Sequence, residues 1–341
     1  MFRLIVLAIC LAAPALCWSH PSAVPHEEPG WTLTAEILVP LALSLFLYAY
    51  GGQRLFRRSN SGRSTVRRRG ILFAVGWFTL AAAAVSPLHE AGESSFTLHM
   101  VEHELLMLLA APLLVLSRPL ETMLWAWPAP ARKIIGRWVQ SAPMRGTWKF
   151  LSGGITATVL QAAVLWLWHA PTLFELALAT DGWHITQHLS FLISALLFWS
   201  AMFHNKQAHG GRALAVLCLF ATSVVSGALG ALMALSQSPW YPRYAQMGLA
   251  PFGLTPVEDQ QLAGLLMWIP GGLVHAVAAL ILLGALLRDS ADRAPETLQS
   301  EGPDAALLRF DTTVLQRFSG ATPCARQDNH LRNTSSKSIR S

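Results

Sequence analysis

Two pairs of histidines carry the spacing of a metal site: His99 and His103 in "LHMVEHELLM", and His184 and His188 in "WHITQHLS". On a helix, a four-residue step puts both imidazoles of a pair on one face, with a rise of ~6 Å between them. Met107 extends the first stripe, with Met100 beside it, and Gln187 lies alongside the second. In a third segment Gln260, Gly264, Met267, Gly271 and His275 share one helical stripe. Neutral imidazole is the commonest metal ligand. Thioether sulfur nearby favours a soft ion such as Cu(I), while imidazole alone suits zinc, Cu(II) or iron. The expected ligands are therefore His99, His103, His184 and His188, with Met107, His169 and Met267 as further candidates. Glu102 is expected to orient His99, Asp259 and Gln260 to support the site or meet a partner, and Glu104 to project sideways into water.

The elements that must hold these residues are membrane helices. The chain is 53% apolar and 13% charged, about half the charged fraction usual in a soluble domain. Seven apolar runs stand out, at 33–50, 71–87, 97–117, 150–169, 185–203, 212–235 and 262–287. Most approach the ~20 residues that cross a bilayer core, and a helix satisfies its own backbone there. The predicted fold is an all-α polytopic bundle of about seven transmembrane helices, spanning 33–288. Residues 1–17 read as a secretory signal, with Arg3 ahead of a short apolar core, or else as an uncleaved eighth helix. Residues 18–32 form a short outer segment and 289–341 a polar, disordered cytoplasmic tail.

Charge orients the bundle. Segment 51–70 holds seven arginines, and 118–149 and 204–212 add further basic residues, whereas 88–98, 170–184 and 236–261 contain only Arg243. The positive-inside rule makes the first set cytoplasmic. The mature amino terminus is then outside and the carboxyl terminus cytoplasmic. The net charge of +6 follows from this topology, with arginines beside anionic lipid, and needs no nucleic acid. His89, His99, His103, His169, His184 and His188 all fall at the outer ends of runs, while His204, His209 and His330 fall inside. By a rise of ~1.5 Å per residue, His103, His188 and Met267 share a depth of ~6–8 Å, and His275 lies ~20 Å down as a separate site or packing contact. A lone histidine there is more often an interhelical hydrogen-bond partner. Two matched pairs favour a functional site, because ionisable groups inside a membrane are costly. Cys10, Cys17, Cys218 and Cys324 form no CxxC and no disulfide framework.

Four segments, "SFTLHMVEHELLMLLAAPLLVLSRPL" (95–120), "LWLWHAP" (165–171), "WHITQHLSFLISALLFW" (183–199) and "EDQQLAGLLMWIPGG" (258–272), resemble, in order, the multi-span CtaG family of cytochrome c oxidase assembly factors. The resemblance covers about 70–290 and carries His99, His103, Pro112, Arg118, Pro119, His169, His184, His188, Asp259, Gln260, Gly264, Met267 and Trp268. It implies a non-enzymatic role in producing active haem–copper oxidase in the inner (plasma) membrane of a bacterium, through metal delivery or cofactor insertion on the outer side, with copper the expected metal. The implied partners are oxidase subunits or other assembly factors. Three alternatives stand beside it. His99-Met-Val-Glu102-His103 matches the H-x-x-E-H metalloprotease pattern, with Glu175 as a third ligand. Facing histidines suit a bis-histidine haem electron carrier. Asp259, Glu258 and His275 could line a transport path, although no internal repeat or broken helix pair is evident.

Overall fold

A computed structural model describes residues 30–58, 62–204 and 209–300. Among these the chain is almost entirely helical, with one isolated bridge, Ala250 to Leu254, in place of any sheet. The helices are α1 (Ala35–Arg58), α2 (Arg63–Val85), α3 (Pro87–Ser94), α4 (Phe96–Ser117), α5 (Pro119–Leu124), α6 (Ala129–Val139), α7 (Ala142–Leu151), α8 (Gly154–Trp168), α9 (Pro171–Ala179), α10 (Asp181–His204), α11 (His209–Leu235), α12 (Pro242–Met247) and α13 (Pro256–Ser300). Six are long and apolar enough to cross a membrane: α1, α2, α4, α10, α11 and α13. The remaining run, expected as one span over 150–169, is instead the pair α7 and α8, bent by 65°. Gly153 and Gly154 at the junction, the two residues least committed to a helix, account for the break. With that pair counted as one span the total is seven.

The chain divides into two compact units, the first ending at Leu286 and the second beginning at Leu287. The second is helical to Ser300 among the described residues, so helix continues past the boundary expected at 288. The signal segment 1–17, most of the outer segment 18–32 and the tail beyond 300 lie outside the described residues.

Within the first unit α4 and α10 form the centre. Burial covers 61% of the apolar window of α4 and 50% of that of α10, against 11% and 17% for α1 and α2. The start of α4 is fixed twice. Ser95 accepts from the Leu98 amide at 3.3 Å, the usual serine N-cap. Asp259 of α13 then accepts from the Phe96 and Thr97 amides at 2.7 and 3.2 Å and from the Ser95 hydroxyl at 2.9 Å. A carboxylate also matches the positive end of the helix dipole.

The middle of α4 departs from regular geometry. Leu105–Ala110 is a π-helical segment just ahead of Pro112. Proline has no N–H to return to the preceding turn and its ring crowds the carbonyl behind it. The widened turn absorbs this, and the Met107 carbonyl accepts from the Trp199 indole of α10 at 2.9 Å. Arg118 ends α4 in the left-handed conformation (φ 50, ψ 56) and Pro119 opens α5, consistent with the bias of pre-proline residues away from the right-handed helix. Further along, α11 and α13 cross at Gly230 and Gly264. A Cβ on Gly264 would lie 2.5 Å from the Gly230 carbonyl oxygen, so small residues are what permit the contact.

Arg54 donates to the Ala126 carbonyl at 3.1 Å, and Arg69 pairs with Glu121 at 3.1 Å. These basic contacts gather at one end of the bundle. The histidines gather at the other.

Candidate metal centre

Five histidines converge from three elements: His89 on α3, His99 and His103 on α4, and His184 and His188 on α10. The two four-residue pairs face each other. Within a pair the ring centroids are 4.4 Å apart for His99–His103 and 4.5 Å for His184–His188. Across the helices the His103 and His188 Nε2 atoms are 3.2 Å apart. His184 stacks between His89 and His99, at 5.0 and 5.4 Å and nearly parallel to both. One nitrogen from each of His89, His184 and His188 lies within 4.8 Å of the others, and the same holds for His99, His103 and His188. His188 is common to both triads.

Glu102 organises this group. It is fully buried, and its Oε1 accepts from His89 Nδ1 at 2.8 Å and His188 Nδ1 at 3.2 Å. A carboxylate on Nδ1 fixes the tautomer and leaves the Nε2 lone pair of each ring for another partner, the arrangement found behind metal-bound histidines. The sequence reading aimed Glu102 at His99; the structure aims it at His89 and His188. Burial disfavours a charged His89, but the hydrogen bond and charge of Glu102 outweigh this and hold its pKa above the ordinary value. Several polar atoms here are sealed from solvent without a protein partner: His99 Nε2, Glu102 Oε2, His103 Nδ1, His184 Nε2 and both amide atoms of Gln187. Buried polar groups are normally paired. The orphaned imidazole nitrogens fit a ligand that accepts nitrogen lone pairs, and the donor set fits an imidazole-preferring ion such as copper or zinc.

An aromatic roof limits solvent access. Phe174 lies 5.2 Å from His99 and 4.2 Å from Tyr241 by ring centroids. The Tyr244 hydroxyl donates to the Gly92 carbonyl at 2.7 Å. Burial, above all, raises the pKa of the Tyr244 phenol well beyond its usual range, so it stays a neutral donor. Beneath the roof Gly92 lets α3 approach α4; a Cβ there would sit 3.2 Å from the Cα of His99.

The other anticipated residues are placed elsewhere. His169 is buried with both nitrogens engaged: Nδ1 meets the Leu165 carbonyl at 2.7 Å and Nε2 meets the Met100 sulfur at 3.4 Å. Met107 and Met267 line a cavity deeper in the bundle. Asp259 caps α4, and Gln260 accepts from the Trp240 amide at 2.6 Å and donates to the Ser238 carbonyl at 3.2 Å. Both are 2% exposed and tie neighbouring elements together. Glu104, expected to reach water, is half-buried, with its Oε2 shielded from solvent at the same cavity as Met107. Glu175 accepts from the Arg243 amide at 3.0 Å, which commits this third protease-type ligand to another helix.

His89 is the residue that spacing missed. It has no partner four residues away, and it reaches the cluster from a separate short helix opened by Ser86 and Pro87. Its only signal was its place at the end of an apolar run.

An all-helical bundle with six or seven candidate membrane spans and a histidine cluster at one end defines the class. The family model of the cytochrome c oxidase caa3 assembly factor (Caa3_CtaG) matches residues 46–289, and the chain belongs to this family. It is also 28% identical over 228 residues to uncharacterized proteins of Mycobacterium bovis and Mycobacterium tuberculosis, an alignment covering 61% of this chain and 33% of each relative. The chain thus spans about a third of the length of those relatives. No solved structure matches.

Proposed function

We propose that the chain binds copper at the outer face of a bacterial plasma membrane and passes it to cytochrome c oxidase during assembly. The observation that carries this reading is the convergence of His99, His103, His184 and His188, joined by His89, around one buried carboxylate. Family membership supplies the oxidase connection, and the arginine asymmetry of the loops favours the outward orientation. Copper is cargo here, so the site must release as well as bind. His89, His184 and His188 are only half-buried, whereas His99 and His103 are buried. With Nδ1 on Glu102, His188 has a single lone pair to offer, so it serves one triad at a time. Copper exchanging between the triads about His188 would move between a more accessible and a more enclosed position. The aromatic roof would keep competing water away. An oxidase subunit or another assembly factor would dock at this end, and no catalytic step is assigned.

Against a bis-histidine haem carrier stands the packing: His103 and His188 touch, and the His99 and Phe191 rings lie 4.4 and 4.6 Å from His103 by centroid. A macrocycle has no plane to occupy between them.

The test is oxidase assembly in cells lacking this chain. Oxidase polypeptides should accumulate while active, metal-complete enzyme does not, and excess copper should partly restore it by mass action. Under copper limitation, His103→Ala/His188→Ala at normal abundance should behave like the deletion. Full oxidase activity from that variant, once shown to have lost its histidine-cluster copper, would remove the reading.

A further inference from the structure

Below the histidines, α4, α8, α11 and α13 enclose a cavity lined by Glu104, Met107, Gln161, Met267, Gly271 and His275, among others. Its donors are unlike those of the outer cluster, and none belongs to either histidine triad. We infer that this cavity is a second, inner cation site for a soft monovalent ion, Cu(I). Its donors would be the Glu104 carboxylate, the Met107 and Met267 thioethers and Nε2 of His275. The inference rests on the reading that the chain handles copper.

Two of the donors, Met107 and His275, are held by hydrogen bonds that leave a lone pair to spare. Gln161 is buried and donates from Nε2 to the Met107 sulfur at 3.4 Å, while its own Oε1 has no partner. His275 is buried, and its Nδ1 meets the Gly271 carbonyl at 2.7 Å. Nδ1 is therefore the protonated nitrogen, and Nε2 keeps its lone pair. The ring is stacked on Trp199 at 5.7 Å and 8°, which fixes its plane. The same Trp199 anchors the π-helical turn that carries Met107, and such turns recur where a helix re-aims a side chain. Opposite, a Cβ on Gly271 would lie 3.4 Å from Glu104 Oε2; glycine leaves the carboxylate its room.

Charge supplies the second argument. Glu104 makes no ion pair among the described residues, and its Oε2 is sealed and unpartnered. A lone buried carboxylate is costly unless a positive partner or a proton reaches it. Two thioethers and one imidazole around that carboxylate select a soft cation over a hard one. Met107 follows His103 by four residues on α4, one helical turn or ~6 Å inward. The two sites would therefore be consecutive stations along one helix.

The experiment is a Cu(I) titration of the full-length purified protein in detergent, under reducing, oxygen-free conditions against a chelating competitor. Copper per chain and the ligand signature in X-ray absorption are both read. Wild type is expected to take up a second equivalent and to show sulfur scattering. Met107→Leu/Met267→Leu, a near volume-conserving change, should lose the sulfur scattering and that equivalent while keeping the imidazole-bound ion. Glu104→Gln should weaken the inner equivalent at least tenfold. His103→Ala/His188→Ala should keep the sulfur-ligated ion. A wild-type protein with imidazole-bound copper but no sulfur scattering would overturn the inner site alone. So would sulfur scattering indifferent to the methionine changes, or a Glu104→Gln variant that binds as wild type, which would leave the carboxylate holding only a proton. No copper in any form would overturn both readings.

Discussion

Glu102→Ala is expected to lower copper affinity at the histidines by about 10- to 100-fold, the usual cost of losing a group that orients metal ligands. One carboxylate oxygen accepts from His89 at 2.8 Å and from His188 at 3.2 Å. Without it, nothing holds Nδ1 as the protonated nitrogen on either ring. Each imidazole could then turn or change tautomer and withdraw Nε2 from the centre. The buried negative charge that offsets an incoming cation would also disappear. Glu102→Gln separates the two contributions, because the amide oxygen still accepts while the charge is gone, and its affinity should fall between alanine and wild type. The readout is competition against a copper chelator by purified protein. Equal affinity in all three proteins would mean that the rings are oriented by something other than Glu102.

Trp199→Ala is expected to cost about 3–5 kcal/mol of stability, the range for removing a large aromatic from a packed core. Trp199 is 2% exposed, stacks on His275 at 5.7 Å and donates to the Met107 carbonyl at 2.9 Å. Pro112 makes that last contact consequential, since the π-helical turn ahead of it widens the helix and Trp199 is the group that meets the Met107 carbonyl. Trp199→Phe keeps most of the apolar contact and loses the donor. It should cost about 1–3 kcal/mol, the penalty for a buried unsatisfied polar group. Unfolding of the detergent-solubilised protein measures both. A phenylalanine variant as stable as wild type would show that the turn does not depend on the indole.

The spans were legible because their signal is compositional: a helix in lipid must be long and apolar whatever it packs against. The break at Gly153 was not, since hydropathy averages across a junction and is blind to a 65° bend. The two histidine pairs were legible for a related reason, because a four-residue step is a property of one helix alone. Everything that depends on how helices rotate against each other was beyond reach. Met107 shares a stripe with His103 yet faces the inner cavity, where the π-helical segment begins to unwind the stripe. Met267 matched His103 in depth but not in direction. Asp259 looked like a site residue because it is ionic at a membrane boundary, and the structure gives it the amides of α4 instead. His89 stood alone in the sequence, and only the fold of α3 against α4 brings it to Glu102.

Whether the converging histidines hold copper is read from the copper retained by purified full-length protein and its X-ray absorption ligand signature. Wild type is expected to hold imidazole-ligated copper. His103→Ala/His188→Ala should lose that equivalent with helical content unchanged, and His204→Ala, at the other end of the bundle, should retain it. Imidazole-ligated copper held equally by the wild type and the His103→Ala/His188→Ala protein would contradict this expectation, and the histidines would then serve only as hydrogen-bond partners between α4 and α10.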